Sequence, residues 1–352
     1  MLVAGVVTLR VARNVGRFPV PFVAKNTRPG RISMRLAGTG WTAARTLQRL
    51  GTQVTFATYV GADQIGQFTA QSLLRHGLYG PATLVCEEHP RAMVLYDADG
   101  RRSGASDLRS TPFLKYPPAL GRSIMDKYCT AAILTNIGFT RSLIPIAIEL
   151  GIPFATDLHT VDSASPPRYR DWMAAAHILA CSHEELPEGP EQWIRSVWRN
   201  FGTEIVLVGC GPDGVVLGVR AGKAIWHVRS HAPRGVRFVA GAGDLALATF
   251  VHHYFADGDP LTSARMAMLA AGWKVGGEPD EEPGVGADHL AELRLRHGLP
   301  SATRWQGVRH RVVRPTTRTN WAGPAVFWRD HCAAVTAPRR RFARPVGQEL
   351  GE

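Results

Sequence analysis

At 352 residues and 45% apolar side chains, the chain has enough material for one large α/β domain or two small ones. Its formal charge of +12 invites a polyanion-binding reading, but much of the excess is arginine beyond residue 304, including Arg339, Arg340 and Arg341, and the body is only mildly basic. No run approaches the roughly 20 apolar residues of a membrane span, no basic segment precedes residues 2–7, and the five cysteines show neither a CxxC pair nor zinc spacing. These features argue against a membrane anchor, an export signal and a disulfide framework, and the expectation is a protein of the reducing cytoplasm.

In chain order, apolar β-type runs at 2–7, 54–60, 132–136, 153–157, 177–181 and 205–208 alternate with amphipathic helical patterns at 42–50, 64–76, 142–150 and 244–255. Several helices stop at glycine (Gly51, Gly77, Gly151), which accepts the left-handed conformation of a helix C-terminus. That rhythm predicts a mostly parallel sheet with crossover helices. Residues 8–36 and 84–105 break it, and 91–100, which reads as a strand and turn, suggests that the two segments pair as a small separate sheet. Beyond about residue 300 the alternation is lost, so residues 1–300 are read as the folded domain. Residues 301–352 are read as a basic extension, solvated or disordered, with scattered Trp, Pro and Arg.

The chemistry-bearing segment is Gly241-Ala242-Gly243-Asp244, followed by an apolar helical stretch. Small residues opening a helix let consecutive amides face an anion within the favourable field of the helix dipole. An aspartate there can accept a proton from a hydroxyl; the bland alternative is a tight turn and a helix cap. Gly209-Cys210-Gly211-Pro212-Asp213-Gly214 fits GxGxxG, but a dinucleotide fingerprint opens a helix, whereas Pro212-Asp213-Gly214 is a turn running into the strand-like 215–219. No GxxxxGK[ST] loop is present. His252 and His253, adjacent on a helix, cannot face one metal together.

The ordered set of segments resembles the ribokinase/PfkB carbohydrate kinases over about residues 1–298. Ala37-Gly38-Thr39-Gly40-Trp41-Thr42 is similar to the family's glycine-rich sugar loop, and Gly61-Ala62-Asp63 to its next strand-to-helix turn. Asp157 ends a strand as the family's central aspartate does. Ser182-His183-Glu184-Glu185 falls at the Asn-x-x-Glu magnesium motif, residues 206–215 at the nucleotide strand and turn, and residues 241–244 at the signature anion hole. The resemblance implies a three-layer ribokinase-like α/β sandwich with a small β-lid, and ATP-dependent transfer of a phosphoryl group to a sugar, sugar derivative or nucleoside. Asp244 would be general base and Gly241, Ala242 and Gly243 the anion hole. Ser182 and Gly209 to Gly214 would bind ATP, and Glu185 would meet Mg2+ through water. Arg10, Gly38, Thr39, Gly40 and Thr42 would bind the acceptor. A homodimer through the lid is compatible with it.

Three departures qualify what the resemblance implies. The family's Asp-Thr before the anion hole is Phe238-Val239, removing oxygens tied to a monovalent cation. Thr42 and Ser182 replace asparagines, and Arg10 stands where a hydroxyl-binding aspartate is expected, which points either to an anionic acceptor or to an arginine turned to solvent or paired with Asp97 or Asp99 of the lid. The competing readings are a catalytically degenerate ligand-binding or regulatory relative, and, more weakly, nucleic-acid binding through the arginine-rich tail.

Overall fold

The computed structural model describes residues 1–22, 32–99, 101–163 and 166–305. A ten-stranded sheet forms the centre, built from β1 (Leu2–Ala4), β4 (Thr55–Gly61), β5 (Thr83–Cys86), β8 (Ala132–Leu134), β9 (Phe154–Thr160), β10 (Ile178–Ser182), β11 (Ile205–Gly209), β12 (Val215–Val219), β13 (Ala224–Val228) and β14 (Ala302–Arg304). The order across it is β14-β13-β12-β11-β10-β9-β8-β1-β4-β5. From β11 to β5 every pairing is parallel, and the three strands at the other edge run antiparallel.

Nine helices follow in chain order among the described residues: α1 (Thr39–Arg49), α2 (Gln64–Arg75), α3 (Pro118–Tyr128), α4 (Ile144–Glu149), α5 (Arg170–Ala175), α6 (Pro190–Asn200), α7 (Ala242–Asp257), α8 (Pro260–Val275) and α9 (Ala287–His297). Strand alternation feeds two cores. Val3, Ile205 and Leu207 point to the face covered by α1, α2, α7, α8 and α9, while Leu2, Ala4, Val206 and Val208 point to the face covered by α3 to α6. The three layers that the resemblance implies are therefore present.

A second, four-stranded sheet, ordered β3-β2-β6-β7, consists of β2 (Thr8–Gly16), β3 (Ile32–Ala37), β6 (Arg91–Asp97) and β7 (Arg102–Asp107). This is the expected lid, with different boundaries. Residues 84–86 belong to β5 at the edge of the main sheet, so the lid's second segment starts at Arg91. The apolar run 2–7 also divides: β1 ends at Ala4 because Gly5 meets α1 backbone to backbone, and a Cβ on Gly40 would lie 2.4 Å from the Gly5 carbonyl carbon.

The folded part runs past the expected break at residue 300. β14 pairs with β13, and the Trp305 amide donates to the Ile225 carbonyl at 2.8 Å. Three residues are too short to show a strand period in the sequence. Residues 306–352, the bulk of the expected extension, lie outside the described residues. Among those described, no helix is long and apolar enough to cross a membrane.

Candidate active site

The parallel strands end on one edge of the sheet, and β9 and α7 bring their functional groups together there. Asp244 lies in the first turn of α7, behind Gly241, whose left-handed conformation (φ 81°, ψ 9°) reverses the chain into the helix. Of the amides expected to face an anion, that of Ala242 donates to the Val239 carbonyl at 3.1 Å. Among the described residues no backbone carbonyl accepts from the amides of Gly243 or Asp244, which leaves these two as the open donors of the helix start. A Cβ on Gly243 would meet nothing closer than Asp157 Oδ2 at 3.9 Å. Packing within the chain therefore does not require glycine at 243, whereas close approach of a ligand to its amide would.

Asp157 lies at the middle of β9, which runs on to Thr160 instead of ending at the aspartate as expected; it faces the same cleft with His159, and ligand-type atoms of Asp157, His159 and Asp244 lie within 4.8 Å of one another. Thr39 and Thr135 complete the polar lining. His159 is a non-glycine residue at φ 59°, a conformation that L side chains seldom adopt. It is held by its own amide, which donates to Asp157 Oδ1 at 2.8 Å, while its Nδ1 stands 3.9 Å from Asp157 Oδ2. A sequence signal existed in Asp157-Leu158-His159, since alternate strand residues share a face, but the left-handed kink that aims the ring was not legible.

Burial pushes the Asp244 carboxyl up to about 6; the Asp157 charge adds to the rise, and His159, Arg102 and Lys274 oppose it. A carboxylate poised there can take a proton near neutral pH. Lys274 enters this electrostatic environment from the last turn of α8, where no local sequence motif marks it.

The other expected site residues have mixed placements. Thr39 lines the cleft. Gly38 and Gly40 have packing reasons: a Cβ on Gly38 would lie 2.7 Å from the Val6 carbonyl oxygen, and the Gly40 amide donates to that oxygen at 3.1 Å. Thr42 is buried behind the turn, with Oγ1 3.8 Å from a Cβ built on Gly241. Arg10, on β2, donates to the Pro279 carbonyl at 2.5 Å and stacks on Phe238, its guanidinium carbon 4.9 Å from the ring centroid.

Ser182 and Gly209 are register partners at the ends of β10 and β11, and the His183 amide donates to the Gly209 carbonyl at 2.9 Å. Residues 209–214 form the expected turn into β12, closed by the Cys210 amide on the Gly214 carbonyl at 2.7 Å. Gly211 (φ 55°) has open space at its Cβ position, whereas Gly214 is confined by Val228. Cys210 is buried, its thiol pushed up to about 12 by burial. Pro212 and Asp213 are held by their carbonyls, which accept from Ser230 Oγ and from His227 Nε2. Glu185 is exposed in the turn after β10 and is not among the groups gathered around Asp244.

Comparison with known proteins bears on the fold and on the first third of the chain. Residues 2–103 match the family described as "pfkB family carbohydrate kinase". Among curated proteins, the bifunctional protein HldE of Nitrobacter hamburgensis is 26% identical over 308 residues, covering 81% of this chain. HldE of Coxiella burnetii is 28% identical over 156 residues, 42% of this chain. The alignments span 59% and 30% of those proteins, so the chain matches only part of their length. A microbiome-derived acarbose kinase, Mak1, superposes with a TM-score of 0.75 at 22% identity, over 84% of this chain and 98% of that one. Ribokinase of Arabidopsis thaliana, complexed with ribose and ATP, gives 0.67 at 18% identity, over 83% and 97%. The Burkholderia thailandensis nucleoside kinase complexed with inosine gives 0.66 at 16%, over 85% and 98%. The chain is thus ribokinase-like in fold, with a first third that matches the pfkB family of carbohydrate kinases.

Proposed function

We propose that this chain transfers the γ-phosphoryl group of ATP to a hydroxyl of a sugar, sugar derivative or nucleoside, with Asp244 as general base. The observation that carries the reading is the first turn of α7, where a carboxylate poised at about 6 stands beside the open amides of Gly243 and Asp244. A base and an anion-holding pair of donors on one rigid helix end are the parts that phosphoryl transfer needs. Asp244 accepts the hydroxyl proton as the oxygen attacks phosphorus, and the two amides hold the phosphoryl oxygens.

ATP would lie along Ser182 and the turn from Gly209 to Gly214, with space over Gly211. Magnesium, when bound, neutralises the phosphates; the exposed Glu185 carboxylate beside this turn suits a hard ion that keeps its waters. The trio of Asp157, His159 and Asp244 is the less suitable magnesium cage, because an imidazole replaces one of its oxygens. We read the trio as proton-handling. On the acceptor side, Thr39 offers a hydroxyl to the cleft.

The test is ADP formation by the purified chain with ATP and magnesium across a panel of sugars, sugar phosphates, sugar acids and nucleosides. Acceptor-dependent turnover that Asp244→Asn abolishes supports the reading. ATP binding without turnover on any acceptor would favour the degenerate ligand-binding relative instead.

A further inference from the structure

Phe238, a few residues before the anion-holding turn, is bracketed by two cations. Arg10 stacks on its ring at 4.9 Å, and Lys274 Nζ lies 4.7 Å from the same centroid while donating to the Phe238 carbonyl at 2.7 Å. The lysine is fixed in place: the amides of Arg237 and Phe238 donate to the Val275 carbonyl at 2.7 and 3.0 Å, tying the end of α8 to this segment. Strand register puts further positive charge on the same lid face. Arg10 pairs across β2 and β3 with Arg35, and Arg102 pairs across β6 and β7 with Tyr96, which packs on Phe238 at 5.3 Å.

Asp244 acts on Lys274 and Arg102 without forming an ion pair with either, and the carboxylates at 278, 281 and 282 are paired with other arginines. Glu278 pairs with Arg237 at 3.0 Å, Glu281 with Arg234 at 3.1 Å, and Glu282 with Arg45 at 3.3 Å and Arg35 at 3.6 Å. Among the described residues no carboxylate stands within ion-pair distance of Arg10, Arg102 or Lys274, and the buried Arg10 Nε has no hydrogen-bond partner. Arg35 and Arg102 are exposed, but Arg10 and Lys274 are largely withdrawn from water, and like charges held together there are costly without a counter-ion. In keeping with this, burial lowers Lys274 to about 7, with Arg10 and Arg102 lowering it further against Asp244 and Glu281.

The location selects which ligand supplies the missing charge. Sheet order places β11, with its turn, on one side of β9 and Asp157, and β1, which leads into the lid, on the other. Arg10 and Arg102, both on lid strands, therefore flank Asp244 from the acceptor's side, and Lys274, which reaches Phe238 from the last turn of α8, meets Arg10 there over the same ring. Resting on the kinase reading above, we infer that the acceptor carries an anionic group, a phosphate or a carboxylate, held between Arg10 and Lys274 and covered by Arg102 of the lid.

Calorimetric titration with a non-hydrolysable ATP analogue and magnesium present tests this, using ribose 5-phosphate, glucose 6-phosphate and gluconate against neutral ribose and glucose. At least one anionic probe should bind about 10-fold or more tightly than its neutral counterpart, as charge-assisted hydrogen bonds imply. Its phosphate or carboxylate arm names the group. Lys274→Gln and the exposed-site variant Arg102→Gln should each erase most of that preference while leaving affinity for the ATP analogue within about twofold. Melting curves confirm that both variants are folded. Equal or tighter binding of neutral sugars, no binding of any anionic probe, or a loss that falls on the ATP analogue would each overturn the inference. Failure of the kinase reading looks different: no ADP forms with any acceptor, while anionic sugars still bind in a Lys274-dependent manner.

Discussion

Asp244 combines a helix start, a half-buried carboxyl and a neighbouring carboxylate, and each has a measurable consequence. Asp244→Asn keeps the shape and removes the base, so turnover should fall about 100-fold or more with the melting temperature nearly unchanged. Parental turnover in this variant would remove Asp244 from the mechanism. Because the folded carboxyl sits at about 6, the base is protonated and idle below that pH, and kcat/KM should rise through it. Asp157 contributes to the elevation, so Asp157→Asn should move this acidic limb to lower pH, whereas an unmoved limb would mean that the two carboxyls do not interact. At this scale the sequence was informative where chemistry is local: Gly241 to Asp244 is one contiguous turn. His159 and Lys274 escaped notice for different reasons. The first depends on a left-handed kink at the end of β9, and the second reaches Phe238 only through the packing of α8 on residues 237 and 238. Lys274 is also one of only five lysines in a chain whose Lys and Arg together number 41. That choice has chemical meaning, since a buried lysine can titrate near neutrality and an arginine cannot.

Glycines that look alike in sequence do different work in the elements they join. Gly40 is where α1 crosses the end of β1: an added Cβ would stand 2.4 Å from the Gly5 carbonyl carbon, so backbone has to move. Gly40→Ala should therefore destabilise the fold by about 1–3 kcal/mol, the usual scale of overpacking, seen as a lower denaturation midpoint. Gly243→Ala meets no such obstacle within the chain and should melt close to the parent, yet crowd a phosphoryl group at its amide and weaken binding of the ATP analogue. Unchanged nucleotide affinity in Gly243→Ala would count against the anion-hole assignment. The motif reading placed Gly38 and Gly40 with the acceptor because the resemblance names a loop, whereas the geometry gives their glycine character a packing cause. The lid shows the same limit. Its two segments were visible as breaks in the α/β rhythm, but the parallel β2–β6 pairing joins residues about 80 apart and fixes boundaries that no local pattern contains.

Across the whole molecule, alternation of apolar strands and helices was enough to specify the layered sheet, because parallel strands buried on both faces leave long apolar runs. The antiparallel edge was harder to read. β12 and β13 form a hairpin, and β14 returns from the far end of the described chain to cover it. Residues 301–305 are therefore part of the folded unit, which separates two truncations that the sequence alone would treat as equivalent. A chain ending at Gln306 keeps β14, the Trp305 amide on the Ile225 carbonyl, and the Trp305 indole on Glu191. It retains every segment on which the proposed chemistry depends. A chain ending at Pro300 exposes the edge of β13 and strips the indole from His227, whose ring centroid lies 6.3 Å away. Its melting temperature should drop by several degrees relative to the chain ending at Gln306, as loss of roughly 1–2 kcal/mol does in a domain of this size. The chain ending at Gln306 should form ADP at the full-length rate with any acceptor the parent accepts. Slower turnover in that shorter chain, at unchanged melting temperature, would assign residues 307–352 a part in catalysis that none of the site residues in α7, β9 or the lid predicts.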